Sequence, residues 1–240
     1  MARSRTRPDR HWMMTQETLI EFLDRFFQVD QYPKEERGGI YRKSDRLIQR
    51  LGLALEPTLN FDLWITNHRV DALFIHRPWQ LDPELDIGVV FYHLPFDEQL
   101  TLGFNLRLAE ALTLVNAKPF GHKAGRAIGM IGEIPPQSSD RCCGQIRDIF
   151  GGYESAIGQS EAVRKIAIVG AMNESLIRSA AAQGVEVYIT GQFRTSAKAA
   201  VLETGMCVIE VGHHRCEQWG LKALSGVLRE RWSKLQIILL

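Results

Sequence analysis

In the run Val211-Gly212-His213-His214-Arg215-Cys216-Glu217, an imidazole and a carboxylate stand four residues apart, a spacing at which both can close on one divalent ion. On a helix, positions i and i+4 share a face, so His213 and Glu217 reach a common point if a helix starts here. The run Cys207-Val208-Ile209-Glu210-Val211 before them reads as a strand and puts the pair at a strand-to-helix junction, where ligand sites gather. The same spacing also suits a surface histidine and a glutamate favoured by the helix dipole, so the chemistry needs further donors. The first half of the chain offers them. Val70 to Ile75 reads as a buried strand that delivers His76, and Arg77-Pro78-Trp79 follows, where the proline stops the ladder. Ile87 to Tyr92 reads as a second strand that delivers His93, with Asp97 four positions on. Taken singly, each of these three suits a hydrogen-bonded structural group or a cap. Brought together at converging strand ends, they add three candidate ligands.

At these residues the chain resembles the Nif-three-like family, the dinuclear-metal-centre hexameric proteins also described as GTP cyclohydrolase type-two homologues. Val70 to Trp79 is similar to that family's Asp-x-x-Ile-x-His-His-Pro/Gly segment. His93, Asp97, Gly103-Phe104-Asn105 and Leu108-Ala109 follow its His-Thr-x-x-Asp, Gly-x-Asn and Leu-Ala pattern. Gly125 to Glu133 looks like its glycine-rich stretch, and Val163 to Gly170, Val185 to Gly191 and Gly205 to Glu217 look like its later segments. Before Val70 the likeness is faint. The resemblance implies metal ligands at His76, Asp97, His213 and Glu217, and a divalent ion such as zinc, iron or manganese, one or two per chain, which suits mixed nitrogen and oxygen donors. It also implies a homo-oligomer, a ring-like hexamer, and a metal-dependent hydrolase acting on a nucleotide, with His93 or Asp97 moving protons.

The departures bear on that expectation. Where the family has the second histidine of its pair, this chain has Arg77, a permanent cation that cannot coordinate a metal. A mononuclear centre on His76, His213 and Glu217 is therefore expected. Two readings of Arg77 stand: it bridges the Asp97 and Glu217 carboxylates in place of a cation, or it points to solvent. Gln192 and Ser196 occupy positions where the family carries an aspartate and a histidine, and Cys216 replaces a threonine, so acid–base groups are lost. The alternative function is a non-catalytic metal-binding or scaffold oligomer with a decayed site. Cys216 reads as a small packing residue, or as a redox-sensitive neighbour of the metal. Glycines 121, 125, 129 and 132 lack the spacing of a phosphate-cradling loop and fit turns or close backbone approach, although His122, Lys123 and Arg126 beside them are candidate phosphate contacts.

The elements that must position these groups alternate. Expected strands are Phe61 to Thr66, Ala72 to His76, Gly88 to His93, Lys165 to Val169, Val185 to Thr190 and Met206 to Val211. Expected helices are Gln16 to Gln28 behind a Thr15 cap, Asn105 to Val115, Asn173 to Gln183, Thr195 to Thr204 and Gln218 to Trp232, the last with a Leu221, Leu224, Leu228, Trp232 stripe. Such alternation predicts an α/β fold. An echo between Val70 to His76 and Val185 to Gly191 predicts two related α/β lobes with the metal site between them. The expected division is a basic, disordered extension over 1–13, a first lobe over 14–118 and a second over 119–240, with intertwining allowed and Gly132 to Pro136 and Gly151-Gly152 as linkers. With 29 basic and 28 acidic residues, the net charge of +1 offers no field for nucleic acid or a membrane surface. No run reaches the roughly 20 apolar residues of a membrane span. Four cysteines without a Cys-x-x-Cys pair fit a reducing, cytoplasmic setting.

Overall fold

Thr15 begins the first helix as its spacing predicts: the hydroxyl accepts the Thr18 amide at 3.2 Å. In the computed structural model, which describes residues 14–240, this helix is α1 (Gln16–Phe26). Leu19, Leu23 and the following Phe27 are fully buried, and each such side chain stabilises the fold by about 1.5–3 kcal/mol. The expected extension over 1–13 lies outside the described residues. Strands β1 (Gly39–Arg42) and β2 (Arg50–Ala54) follow. Phe61 to Thr66, expected as a strand, instead opens helix α2 (Phe61–His68). Its apolar residues follow the helical period: Phe61 and Ile65, four apart, are buried, while Leu63 between them is exposed. Next come β3 (Ala72–Ile75), β4 (Gly88–Phe91), α3 (Leu94–Leu100) and α4 (Leu106–Ala111). The Asn105 side chain caps α4 by accepting from the Arg107 and Leu108 amides. The helix stops at Ala111, short of the expected Val115, because Thr113 takes positive φ and turns the chain into β5 (Val115–Pro119).

The strands β6 (His122–Lys123) and β7 (Arg126–Ala127) form a hairpin whose two-residue turn places Ala124 and Gly125 at φ 49° and 81°, so Gly125 serves a turn. Strand β8 (Gly129–Gln137) then carries Pro135 and Pro136, which corrects the expectation of a linker there. Its partner β10 (Val163–Val169) pairs Val163 with Gln137 and Lys165 with Glu133. Four steps on β8 thus face two on β10, and both prolines fall in the bulge, where no ladder amide is required. Gly129 is close backbone approach, since a Cβ there would lie 2.6 Å from the Ile168 carbonyl. Between β8 and β10 lie α5 (Ser139–Phe150), ended by Gly151 at φ 73°, and the short β9 (Ser155–Ile157). The remainder is α6 (Glu174–Ala182), β11 (Val187–Thr190), α7 (Lys198–Thr204), β12 (Cys207–Glu210), α8 (His213–Arg231) and β13 (Gln236–Leu239). Helix α8 starts five residues before the expected Gln218, which puts His213 and Glu217 in its first turns.

Two sheets organise these elements. The first runs β1-β4-β3-β2-β13, and the second β5-β8-β10-β11-β12-β9. The echoing segments sit at equivalent places: β3 lies between parallel β2 and β4, and β11 lies between parallel β10 and β12. Helices cover both faces of each sheet, giving the expected α/β architecture of two lobes. A cut at 118/119 follows the sheets except at β5, which it splits, and at β13, which returns to the first sheet. Helix α8 belongs to both lobes: Cys216 packs in the core of the second sheet, and Leu221, Leu224 and Leu228 pack in that of the first. No helix among the described residues is long and apolar enough to cross a membrane.

Candidate metal centre

Parallel strands in register bring their carboxyl ends level, and the candidate site is built there. Ala54 pairs with Ile75, and Ile75 with Phe91. The next residues along the three strands are therefore Leu55, His76 and Tyr92, and then Glu56, Arg77 and His93. The main chain is pinned: the His76 amide donates to the Ala54 carbonyl (3.1 Å) and the Arg77 amide to that of Leu55 (2.7 Å). His93 precedes α3, whose second residue is Pro95, and the Asp97 amide donates to the His93 carbonyl (3.0 Å). From the other lobe the first turns of α8 bring His213 and Glu217, four apart on one face, into the same cleft.

His76 is fully buried. Its Nδ1 lies 3.0 Å from the Tyr92 carbonyl. A carbonyl only accepts, so Nδ1 carries the hydrogen, and in the neutral ring Nε2 is left as a lone pair. That Nε2 lies 3.2 Å from Glu217 Oε1 and 3.5 Å from Asp97 Oδ1, yet it makes no hydrogen bond among the described residues, and neither does Asp97 Oδ1. A nitrogen lone pair facing two carboxylate oxygens in a buried place is unfavourable unless a cation lies between them. His76, His93 and Asp97 offer ligand atoms all within 4.8 Å of one another. His213 Nε2 lies 2.9 Å from Glu217 Oε1.

The charges follow from these contacts. Burial pushes the Asp97 carboxyl up, reinforced by the Glu217 charge and opposed by His76, His213 and Arg77, to about 6. Burial would also raise Glu217, which is 1% exposed, but its contacts with His213, His76 and Arg77 outweigh that and hold it far below the usual carboxylate range. The hydrogen bond with Glu217 raises His213. Burial, reinforced by the Arg77 charge, lowers His93, which favours a neutral imidazole.

Arg77 does not point to solvent. Its Nη1 and Nη2 grip the Glu217 carboxylate as a fork, the second bond at 2.8 Å, and its Nε donates to Glu56 Oε2 at 3.2 Å. The expected bridge is half formed, because no hydrogen bond from Arg77 to Asp97 is present among the described residues. Cys216 is buried in the core of the second lobe, and burial raises its thiol well above the usual range, as fits a packing residue. Arg126 is not available to a phosphate: its guanidinium is buried on Glu98, at 2.7 and 3.1 Å, and lies over the Tyr32 ring.

Beside the donors is a cavity of about 190 Å³, lined among others by Asp97, Thr101, Lys123, Gly191 and His213. A larger cleft of about 620 Å³ shares Gly170, Ala171, Gly191 and His213 with it and adds Gln192 and Arg194. The exposed Lys123 lines the first and the exposed Arg194 the second, neither with an ion pair among the described residues. Gln192 and Ser196 are exposed. Sequence reasoning missed Glu56 and Arg194. Glu56 was legible only through the β2–β3 register, and Arg194 carried no local signal. It also missed the aromatic packing that fixes the histidines: Phe96 lies against His76 (ring centroids 4.8 Å apart), and the exposed Trp79 lies edge-on to His93 (6.5 Å).

The model of the Duf34/NIF3 (NGG1p interacting factor 3) family matches residues 83–240. A protein of Pyrococcus horikoshii named GTP cyclohydrolase 1 type 2 homolog is 26% identical over 241 residues, covering 91% of this chain and 95% of that protein. Among solved structures, TTHA1606 from Thermus thermophilus superposes with a TM-score of 0.74 at 21% identity, covering 95% of this chain and 98% of that one. Reduced HcgD from Methanocaldococcus jannaschii superposes with a TM-score of 0.72 at 24% identity and the same coverage. At these identities the superpositions establish the fold.

Proposed function

Since this chain belongs to the Duf34/NIF3 family, we propose that it binds a divalent metal ion between its lobes and uses it to hydrolyse a small nucleotide. The observation that carries the reading is the buried, unpartnered Nε2 of His76, set as a lone pair by the Tyr92 carbonyl and aimed at two carboxylates. His76 and Asp97 would hold the ion, with His93, His213 and Glu217 as the further donors in reach. Zinc, iron or manganese fits such a mixed set. A bound ion would supply Lewis acidity toward oxygen. Asp97, which lines the cavity, and the neutral His93 beside it would take up and return a proton. Lys123 and Arg194 flank the openings where an anionic substrate would enter, which supports a phosphorylated ligand. The name of the Pyrococcus horikoshii relative supports nucleotide ring opening of the GTP cyclohydrolase kind. The proposal extends to a ring-like homohexamer, on the family resemblance, and to a reducing compartment such as the cytoplasm, which the four free cysteines support.

Metal analysis of the purified full chain beside His76→Ala tests the reading. About one equivalent in the parent and none in the variant is expected, with nucleotide hydrolysis that disappears on chelation and returns with metal. A parent that holds no metal after incubation with zinc, manganese and iron would sink it. A second reading, a metal-binding scaffold without turnover, is supported by the hold of Arg77 on Glu217 and by Gln192 at the cleft rim, which leave fewer acid–base groups. Metal retained with no hydrolysis of any nucleotide tested would favour that reading.

A further inference from the structure

We infer that the Arg77 guanidinium is a resident cation of this cleft, filling the place of a second metal ion and leaving room for one, on the His76, His93 and Asp97 side. The inference rests on the metal-binding reading for the occupied side and adds the reason why the other side is closed. Three imidazoles and two carboxylates converge here in two groups, with His76 facing the carboxylates of both, at 3.2 Å from Glu217 and 3.5 Å from Asp97. His76, His93 and Asp97 lie within 4.8 Å of one another, and His213 and Glu217 are 2.9 Å apart. Each group joins a carboxylate to imidazole; the first has the three protein donors of an open divalent site, and the second has two. The groups differ in what the carboxylate already holds. Asp97 Oδ1 is buried without a hydrogen-bond partner among the described residues, whereas both oxygens of Glu217 accept from the fork of Arg77.

A guanidinium never deprotonates here, and it presents hydrogens where a metal would need lone pairs. A second ion at Glu217 would also stand against a fixed positive charge. Arg77 is held in that position from three sides. Its amide is on the Leu55 carbonyl, its Nε on Glu56, and its two terminal nitrogens on Glu217. The cation is thus balanced by two carboxylates, one on the strand end beside it and one on α8, so it ties the lobes together as a bridging metal would.

The test is metal stoichiometry on the full chain, with the parent, Arg77→His and Arg77→Ala each saturated with manganese or zinc, desalted and analysed by mass spectrometry. One ion per parent chain and two per variant chain are expected, a twofold rise. In manganese, the electron paramagnetic resonance spectrum should change from isolated ions in the parent to a coupled pair in the variants. Equal stoichiometry in parent and variants, or two ions in the parent, would overturn the inference while leaving the metal-binding reading intact. A parent with none and a variant with one would sink the metal-binding reading and the room for one ion, while keeping Arg77 as the group that shuts metal out. No ion in any of them would sink both. If the variants do not fold alone, refolding that requires added metal, where the parent requires none, supports the inference, and failure to refold with metal overturns it.

Discussion

At the residue scale, Asp97 is the group whose environment is least settled without a cation. Its carboxyl is pushed up from the ordinary 3.8 to about 6, first by burial and then by the Glu217 charge. Between those values the folded state keeps a proton that the unfolded chain has released, so stability falls as pH rises through the window. Glu217 works the other way. Its depressed value adds stability above the ordinary 4.5, and that stability is lost only as pH falls below it. The interval from about 4.5 to 6 is therefore free of Glu217, and His93, lowered from 6.5, opposes Asp97 there, so Asp97 is read from the difference between the parent and a variant without it. Chelator-treated parent protein should show a urea midpoint that declines across this interval relative to Asp97→Asn, which lacks the titrating group. Saturating metal should reverse the sign, because an ion competes with the proton for the same oxygens. Parallel pH profiles for parent and variant would remove Asp97 from the account.

At the scale of elements, the crossing of α3 and α8 sets the site, and Gly220 makes the crossing possible. A Cβ at Gly220 would lie 2.7 Å from the Phe96 ring and 3.3 Å from the Leu100 carbonyl. Phe96 is fully buried and leans on His76, so it cannot give way without moving the ligand. Alanine is the better helix former by roughly 1 kcal/mol, but overpacking a fixed ring costs about 1–3 kcal/mol, so the clash decides the sign. Gly220→Ala should lower the urea midpoint and weaken metal retention. Gly226→Ala on the same helix meets nothing closer than the Arg107 side chain at 3.7 Å and should raise the midpoint, with a gain in stability of up to about 1 kcal/mol. If both substitutions stabilise, the crossing is not tight.

The same elements show what a sequence can disclose. Strands β3, β4, β10, β11 and β12 were legible because parallel strands buried on both faces are written as continuous apolar runs. A cap named one helix start through Thr15, since a short polar side chain serving an amide is a local event. Helix α2 was misread because its apolar residues crowd together and only burial shows which two face the core. The prolines of β8 depend on a bulge that its partner strand defines. His76, Asp97, His213 and Glu217 could be named from strand ends and i,i+4 spacing. That Arg77 takes Glu217 and Glu56 rather than Asp97 depends on the register of three strands and on where α8 lands, both of which are long-range facts.

At the scale of the whole molecule, the two lobes are held in register by the segment that belongs to both. Helix α8 begins in the second lobe with His213 and Glu217, packs its leucine stripe on the first, and hands the chain to β13, which pairs in parallel with β2 from Gln236–Arg50 to Leu239–Leu53. The Leu240 amide extends the ladder to the Leu53 carbonyl at 3.1 Å. Strand β2 beneath it is almost wholly buried, so removing β13 would leave an apolar strand with an open row of amides and carbonyls, the kind of edge that recruits other chains. It would also free the far end of α8, whose near end carries Glu217 to Arg77 and His76. Ending the chain after Leu235 should therefore produce large, heterogeneous species by light scattering, together with lower metal retention in whatever fraction stays dispersed. A truncated protein that elutes like the parent and keeps its metal would show that the leucine stripe alone fixes α8 between the lobes.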